Sequence, residues 1–381
     1  MRNIFLATLA AALFAITATA QPISPPVESV KPNIPADKYS PGREVIANLD
    51  HIATPNGIQE SFIATLGGAR QFVSVRGSDK RNPILIYIHG GPASIEAPMS
   101  WAFQRPWEDF FTVVEWDQRA AGKSFALNDP KKMAPTMELS RYRDDAIELI
   151  ELLCARYGKQ KVFVLGHSWG SSVGLSVAIK RPDLLYAYIG MGQAIDFEQN
   201  ETVGYRLVLD QARQAHNAQA IKELEGIAPY PGEGALSPPK TAIERKWSVY
   251  FGGLAAGHED GDFYFHLDRL SPEYSHDDLV AWDKGSEFTI GILWPKLAAI
   301  SFEDVHTLHV PIFLFYGRHD TTTPPEIGVD WLKHLKAPKK SIVWFDNSAH
   351  LPMLEEPGRT LVALVNRVRP LAGEEIPPAA Q

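Results

Sequence analysis

Residues 161–180 read KVFVLGHSWGSSVGLSVAIK, and the fold turns on them. Lys161–Leu165 is a short, continuous apolar run, as a strand buried on both faces requires. Trp169–Lys180 reads as a helix that must end before Pro182, because proline cannot continue it. Between them stands Gly166-His167-Ser168-Trp169-Gly170, a G-x-S-x-G spacing. Alone the pattern is weak. Set between a strand and a helix it is sharp, because two glycines permit the tight turn that pushes a serine hydroxyl out at the top of a sheet. The helix start behind Ser168 also offers unpaired N–H groups and a positive dipole end to a developing oxyanion.

A serine hydroxyl needs a base, and the base needs an orienting acid. In this architecture the chain order is Ser, Asp, His. Asp320 follows the apolar run Pro311–Tyr316, and His350 follows the run Ser341–Phe345, so both fall with Ser168 at the carboxyl ends of strands. His319 and Asp346 lie nearer their strands and read as structural. Asp196, just beyond the run Leu184–Gly190, stays open as an alternative acid. Oxyanion binding needs two N–H donors. Trp169 is one, and the loop His89-Gly90-Gly91-Pro92 after Ile84–Ile88 points to Gly91 as the other.

Working outward, Pro83–Ile88 and Phe110–Glu115 are further apolar runs, and Gly67-Gly68 joins the strand-like Glu60–Thr65 and Arg70–Arg76 as a hairpin. Leu139–Tyr157 has helical periodicity, while Pro325–Leu335 and Glu356–Val368 read as later helices. Strands alternating with helices predict an α/β class: a mostly parallel sheet with helices on both faces. The stretch 197–307 breaks the alternation and reads as an inserted, mainly helical cap domain between core segments 43–196 and 308–381. Residues 21–42, with Pro22, Pro25, Pro26, Pro32, Pro35 and Pro41, read as an extended linker. Residues 1–20 read as a secretory signal peptide: Arg2, an apolar run Ile4–Ile16, and Ala18-Thr19-Ala20 before Gln21. The run is short for a membrane span, with an uncleaved anchor as the alternative. The expectation is an exported protein without stable membrane insertion.

Composition narrows the partners. With 37 Lys+Arg against 45 Asp+Glu over 381 residues, the formal charge of −8 argues against nucleic acid, which needs a basic surface. At 45% hydrophobic residues the chain can bury a core, which excludes disorder as its main state. Cys154 is the single cysteine, so no intrachain disulfide forms. The run His258-Glu259-Asp260-Gly261-Asp262 lacks the full calcium-loop spacing. No metal and no cofactor are expected, and the partner is a small-molecule or short-peptide substrate.

Three segments in order carry a resemblance: His89-Gly90-Gly91-Pro92-Ala93, the stretch Asp117-Gln118-Arg119-Ala120-Ala121-Gly122-Lys123-Ser124, and Gly166-His167-Ser168-Trp169-Gly170. They match H-G-G-P-G, D-Q-R-G-x-G-x-S and G-G-S-W-G, and the chain thereby resembles the prolyl aminopeptidase (proline iminopeptidase) branch of the α/β-hydrolase superfamily. Gly317-Arg318-His319-Asp320 and Ala349-His350 fall on that family's acid and base positions. The likeness spans about residues 60–195 and 311–371 and is weak in the cap. It implies an α/β-hydrolase fold, a Ser168–His350–Asp320 triad, and release of N-terminal residues from peptides. Asp117–Arg119 reads as structural, with Arg119 fixing a loop.

The cap departs from the family. There a glutamate in a W-E-like setting holds the substrate's free α-amine. Here Trp247-Ser248-Val249-Tyr250-Phe251-Gly252 puts Phe251 at that position. An apolar ring cannot anchor an ammonium by a charge-assisted bond. Trp247, Tyr250 and Phe251 are therefore expected to contact substrate as an apolar lining. Glu225, Glu233, Glu244 and Glu287 are cap carboxylates that could replace the anchor, and otherwise read as solvated charge. Three functions follow: a serine peptidase of the iminopeptidase type, an esterase or amidase on small apolar acyl groups, or a non-catalytic binder on a hydrolase scaffold. Unless a carboxylate points inward, small apolar esters should be turned over at least as well as prolyl arylamides. An epoxide hydrolase or dehalogenase is disfavoured, since those carry a carboxylate where Ser168 stands.

Overall fold

Every residue of Ile84–Ile88 is buried, and a strand with no exposed face must lie inside a sheet covered on both sides. The computed structural model describes residues 27–375 and places this strand at the centre of a nine-stranded sheet. In chain order the strands are β1 Glu28–Val30, β2 Ile58–Leu66, β3 Ala69–Gly77, β4 Ile84–Ile88, β5 Thr112–Trp116, β6 Val162–His167, β7 Leu185–Met191, β8 Ile312–Gly317 and β9 Lys340–Phe345. Their spatial order is β1-β2-β3-β5-β4-β6-β7-β8-β9. The first three are antiparallel, and the run from β5 to β9 is parallel. Alternate residues serve opposite faces. Ile84, Ile86 and Ile88 join one core with Val162 and Val164, while Leu85 and Tyr87 join the other with Phe163 and Leu165.

The helices Leu139–Tyr157 and Trp169–Lys180 have the bounds that periodicity predicts. The former ends at Gly158, whose φ of +66° suits a left-handed cap. The signal-peptide reading for residues 1–20, and residues 21–26 of the linker, lie outside the described residues. The rest of the linker is corrected. Glu28–Val30 pairs with Ser61–Ile63 as an edge strand, and a helix already begins at Ser40. An extended, proline-rich arm needs only a free sheet edge to become a strand, and that edge is invisible in sequence. The last helix also starts earlier and is broken: Pro352–Glu355, then Pro357–Ala363. Pro357 interrupts it, since its ring removes a donor.

The cap lies between β7 and β8 as helices Phe197–Gln214, Ala218–Gly226, Pro238–Tyr250, Asp262–Leu267 and His276–Leu293. It has a small core of its own, with Val208, Leu209, Ala212, Ala220, Leu224 and Trp247. Ser275 and Asp278 form a capping box that starts the last cap helix. Among the described residues no helix is long and apolar enough to cross a membrane.

Arg119 holds the antiparallel end to the parallel part. Its Nε and Nη2 bond the two oxygens of Asp145 at 2.8 and 3.0 Å. Nη2 also donates to the carbonyls of Leu66 and Gly67 in the β2–β3 turn. Both partners are buried. Burying two charges has a net worth near zero, but removing one partner leaves the other uncompensated. Asp145→Ala should therefore lower the unfolding free energy by about 3–5 kcal/mol, read from the urea midpoint at constant m-value.

Candidate active site

The turn from β6 into the helix Trp169–Lys180 sets Ser168 at φ +53°, ψ −121°, a positive-φ backbone that a serine adopts only under constraint. The glycines on either side explain the constraint. A Cβ at Gly170 would overlap the Ile88 carbonyl oxygen of β4, and one at Gly166 would overlap the Gly170 carbonyl oxygen. The helix therefore lies directly on β4. The Ser168 side chain makes no capping bond to the helix, so its hydroxyl stays available.

Asp320 stands three residues beyond β8, and its carboxylate is fully engaged. Oδ1 accepts from the N–H groups of Thr322 and Thr323, each at 2.8 Å. Oδ2 accepts from Thr323 Oγ1 at 2.6 Å and lies 2.8 Å from His350 Nδ1. The Asp320–His350 pair is buried. With Nδ1–H donated to the acid, Nε2 of His350 is left to act as a base. Asp196 serves elsewhere, as the cap of the helix Phe197–Gln214, with its Oδ1 accepting from Gln199 N at 2.7 Å.

The loop after β4 lies against Ser168. A Cβ at Gly90 would stand 3.0 Å from Ser168 Cβ. Gly91 has φ +112°, a conformation glycine tolerates. Among the described residues neither the Gly91 nor the Trp169 N–H has a partner within the chain. Gln118 ties the parts together: its Nε2 donates to His89 O at 2.8 Å, its N–H to His89 Nε2 at 3.1 Å, and its Oε1 accepts from Trp169 Nε1 at 3.2 Å. His89 Nδ1 lies 3.0 Å from the Gly90 carbonyl, which fixes this ring as the neutral Nδ1–H tautomer. Burial lowers its pKa, in keeping with that state.

Several site residues carried no sequence signal. Thr323 braces the acid and lies 3.2 Å from His350 Nδ1. Glu355 accepts from the backbone N–H groups of Ala349, Leu351 and the cap's Ala256. His350 N donates to Leu254 O of the cap at 3.0 Å. The cap thus reaches the base loop. It also touches the donor loop, where Trp282 Nε1 donates to Ala93 O at 2.9 Å.

The aromatic lining expected of Trp247, Tyr250 and Phe251 is not where the contacts run. Trp247 is buried in the cap's own core and donates to Glu223 at 2.9 Å. Tyr250 and Phe251 pack on it, with Tyr250 37% exposed. Among the described residues, the ring contacts and hydrogen bonds of this trio stay within the cap. These rings cover a neighbouring helix pair because that is the surface the helix Pro238–Tyr250 meets with its apolar side. Its polar side meets the acid loop instead: Ser248 Oγ is 2.8 Å from Thr321 Oγ1.

Glu244, one turn before Ser248, is 0% exposed, and its Oε1 has no partner. Its Oε2 pairs with Arg245, whose other nitrogen pairs with the buried Glu201. Burial and the like charge of Glu201 outweigh Arg245 and push Glu244 up to about 7. Gly204 separates this carboxylate from the acid loop: a Cβ there would lie 2.7 Å from Thr321 O and 3.8 Å from Glu244 Oε1. Glu225, Glu233 and Glu287 are exposed. The His258–Asp262 run lies mostly exposed, with the His258 ring stacked on Phe263. Among the described residues no group of three His, Cys, Asp or Glu side chains could hold a metal ion.

Acyl transfer requires a hydroxyl, a base held by an acid, and N–H donors; a serine at a constrained turn, a buried Asp320–His350 hydrogen bond and two N–H groups without a partner among the described residues are groups of those kinds. A family model described as alpha/beta hydrolase fold matches residues 83–357. The probable aminopeptidase YbaC of Bacillus subtilis is 29% identical over 77% of this chain and 91% of that protein. A proline iminopeptidase structure from Mycobacterium smegmatis has a TM-score of 0.58 at 18% identity, covering 82% of this chain and 100% of that one. A putative lipase structure from Acinetobacter baumannii AYE has a TM-score of 0.57 at 15% identity, covering 89% and 98%. At such identities the structural likeness speaks for the fold alone.

The two aspartates separate cleanly by experiment. Asp320→Asn should lower kcat for an activated ester such as p-nitrophenyl acetate by about 10⁴-fold. Asp196→Asn should leave kcat within about twofold, because asparagine caps a helix as well as aspartate.

Proposed function

The chain belongs to the α/β-hydrolase family, and from that premise we propose that it is an exported serine hydrolase of the peptidase type, releasing the N-terminal residue of short peptides through an acyl-enzyme on Ser168. The observation that carries this reading is the buried Asp320–His350 hydrogen bond on the sheet edge that also bears Ser168 at its constrained turn. Ser168 Oγ attacks the scissile carbonyl carbon while His350 Nε2 takes its proton. The carbonyl electron pair moves onto oxygen, where the Gly91 and Trp169 N–H groups donate to it. Collapse expels the amine, which receives the proton from His350 and leaves an ester on Ser168. Water attacks that ester, gives a proton to His350, and Ser168 recovers its hydrogen as the acid departs.

Glu244 favours a free-amine substrate over a blocked one. Glu201, Arg245 and Glu244 form a trio of two buried carboxylates and one partly exposed guanidinium, with one carboxylate oxygen unpartnered. When both carboxylates are ionised, an ammonium group would neutralise the excess charge and fill the vacant acceptor. The YbaC similarity supports the same reading. Export is supported by Arg2, the apolar run and Ala18-Thr19-Ala20; a mature chain purified from its native host should begin at Gln21 by N-terminal sequencing.

Ser168→Ala should abolish labelling by a fluorophosphonate probe and cut kcat by several orders of magnitude, since triad members act as a unit. Prolyl p-nitroanilide should be cleaved, and its N-acetyl derivative should not. Glu244→Gln should raise KM for the free-amine substrate about tenfold or more, the worth of a charge-assisted bond, while sparing p-nitrophenyl acetate. Because the Glu244 pKa is raised to about 7, KM for the amine substrate should climb as pH falls through that value. Equal turnover of both anilides, with KM indifferent to Glu244→Gln, would instead establish the esterase or amidase reading.

A further inference from the structure

Beside the nucleophile lies a second buried histidine that the acyl-transfer steps do not use. His167 Nδ1 is 2.6 Å from Glu96 Oε1, and His167 Nε2 is 2.9 Å from the backbone carbonyl of His350. Both side chains are buried, 3% and 2% exposed. The His167 and His350 rings face each other with centroids 4.8 Å apart. Glu96 closes the donor loop that begins at His89, and its Oε2 accepts from Gly90 N at 3.3 Å. One side chain pair therefore joins the oxyanion loop, the nucleophile turn and the base loop.

Counting protons makes the pair unusual. A carbonyl oxygen only accepts, so His167 Nε2 must carry hydrogen. At 2.6 Å, the contact between Nδ1 and a carboxyl oxygen also needs a proton between the two atoms. A neutral imidazole has one N–H, already used on His350. The pair thus holds a further proton, as imidazolium with carboxylate or as imidazole with carboxylic acid. Either way its net charge is zero, where a separate histidine and glutamate near neutral pH would sum to about −1.

We propose that Glu96 and His167 are positioning residues for acyl transfer: the proton they share latches the oxyanion loop to the His350 backbone, and its loss at alkaline pH releases the base and leaves a negative charge beside the oxyanion hole. The proposal rests on the serine-hydrolase reading above. Without the shared proton the ring must choose. It can donate to Glu96 and turn a bare Nε2 on the His350 carbonyl, or keep Nε2–H and oppose a lone pair to the carboxylate. Each choice breaks one end of the latch.

The surroundings support a retained proton. Burial opposes a charge on His167, but the Glu96 carboxylate and the His350 carbonyl outweigh it, and the pKa is raised above the ordinary histidine value. On the histidine side the pair faces His89, held neutral, and the Asp320–His350 couple. On the glutamate side it faces Tyr87, Glu115 and Tyr264, all pushed toward their neutral forms by burial. A raised pKa means that the latch is complete at lower pH and is lost as pH rises through the folded value. The fall should therefore appear on the alkaline limb.

The test is the kcat profile for p-nitrophenyl acetate, whose acyl group does not titrate, from about pH 6 to about pH 10. Wild type should show an alkaline fall. Glu96→Gln should keep the acid limb and lose that fall, because a glutamine amide can donate to Nδ1 and still accept from Gly90 N without a dissociable proton. Glu96→Ala should lower kcat by on the order of ten- to a hundredfold at neutral pH, the scale of a small misplacement of catalytic groups, with KM little changed, and Glu96→Gln should recover most of that loss. An alkaline fall that persists in Glu96→Gln, a wild-type profile flat to the upper limit, or a Glu96→Ala kcat equal to wild type would each overturn the proposal. Should Glu96→Ala fail to fold, the profile of Glu96→Gln decides alone. Ser168→Ala runs beside them: activity surviving in that variant sinks the serine-hydrolase reading, whereas its loss alongside an unchanged Glu96→Gln profile sinks only the latch.

Discussion

The approach of the helix Trp169–Lys180 to strand β4 is the constraint on which the site depends. Gly170 lets the helix rest against the Ile88 carbonyl, and Gly166 lets the chain turn without colliding with itself. The turn then forces Ser168 to a positive φ, at a local cost of about 1–3 kcal/mol that only a well-packed surround can sustain. That surround is a strand buried on both faces and a helix buried along nearly its whole length. The same approach leaves the Trp169 N–H without a partner among the described residues at the helix start and brings the loop after β4 against Ser168. The positions of Ser168 and of the proposed oxyanion donors are thus consequences of one packing contact.

The remaining parts arrive on long loops, which need polar anchors because their backbone groups are buried. Carboxylates supply several of them. Asp320 gathers the loop after β8, Glu355 gathers the loop after β9, and Glu96 closes the loop after β4. Each accepts backbone N–H bonds, so each acts as a scaffold for a turn as well as a charge. Glutamine plays the neutral version of this role at Gln118, which bonds His89 twice and Trp169 once. Loops tied in this way can hold reacting groups in place without rigid secondary structure.

The cap contributes contacts of the same kind. Leu254 and Ala256 bond the base loop, Trp282 bonds the donor loop, and Ser248 bonds the acid loop. A cap so attached cannot shift without disturbing the groups beneath it. Its Glu201–Arg245–Glu244 trio, with both carboxylates buried, has an electrostatic cost that hydrophobic packing would avoid. The ammonium group proposed to bind there would give that cost a reason.

Local information in the chain was enough for the alternation of strands and helices, the turn at Ser168, and the placement of Asp320 and His350 just beyond β8 and β9. These depend on periodicity, glycine placement and chain order, which are properties of neighbouring residues. The bounds of Leu139–Tyr157 and Trp169–Lys180 were legible for the same reason. Tertiary structure alone decided the rest. Only folding brings Glu96 to His167 and Thr323 to His350, pairs 71 and 27 residues apart. Only the sheet edge offered to Glu28–Val30 turns a proline-rich arm into a strand. The face of the helix Pro238–Tyr250 that meets the acid loop was likewise unreadable, and so were the burial of Glu244 and the packing of Trp247 in the cap's own core. Long-range partners are set by how layers pack, and burial, which changes the chemistry of a carboxylate, is a property of that packing and not of the residue.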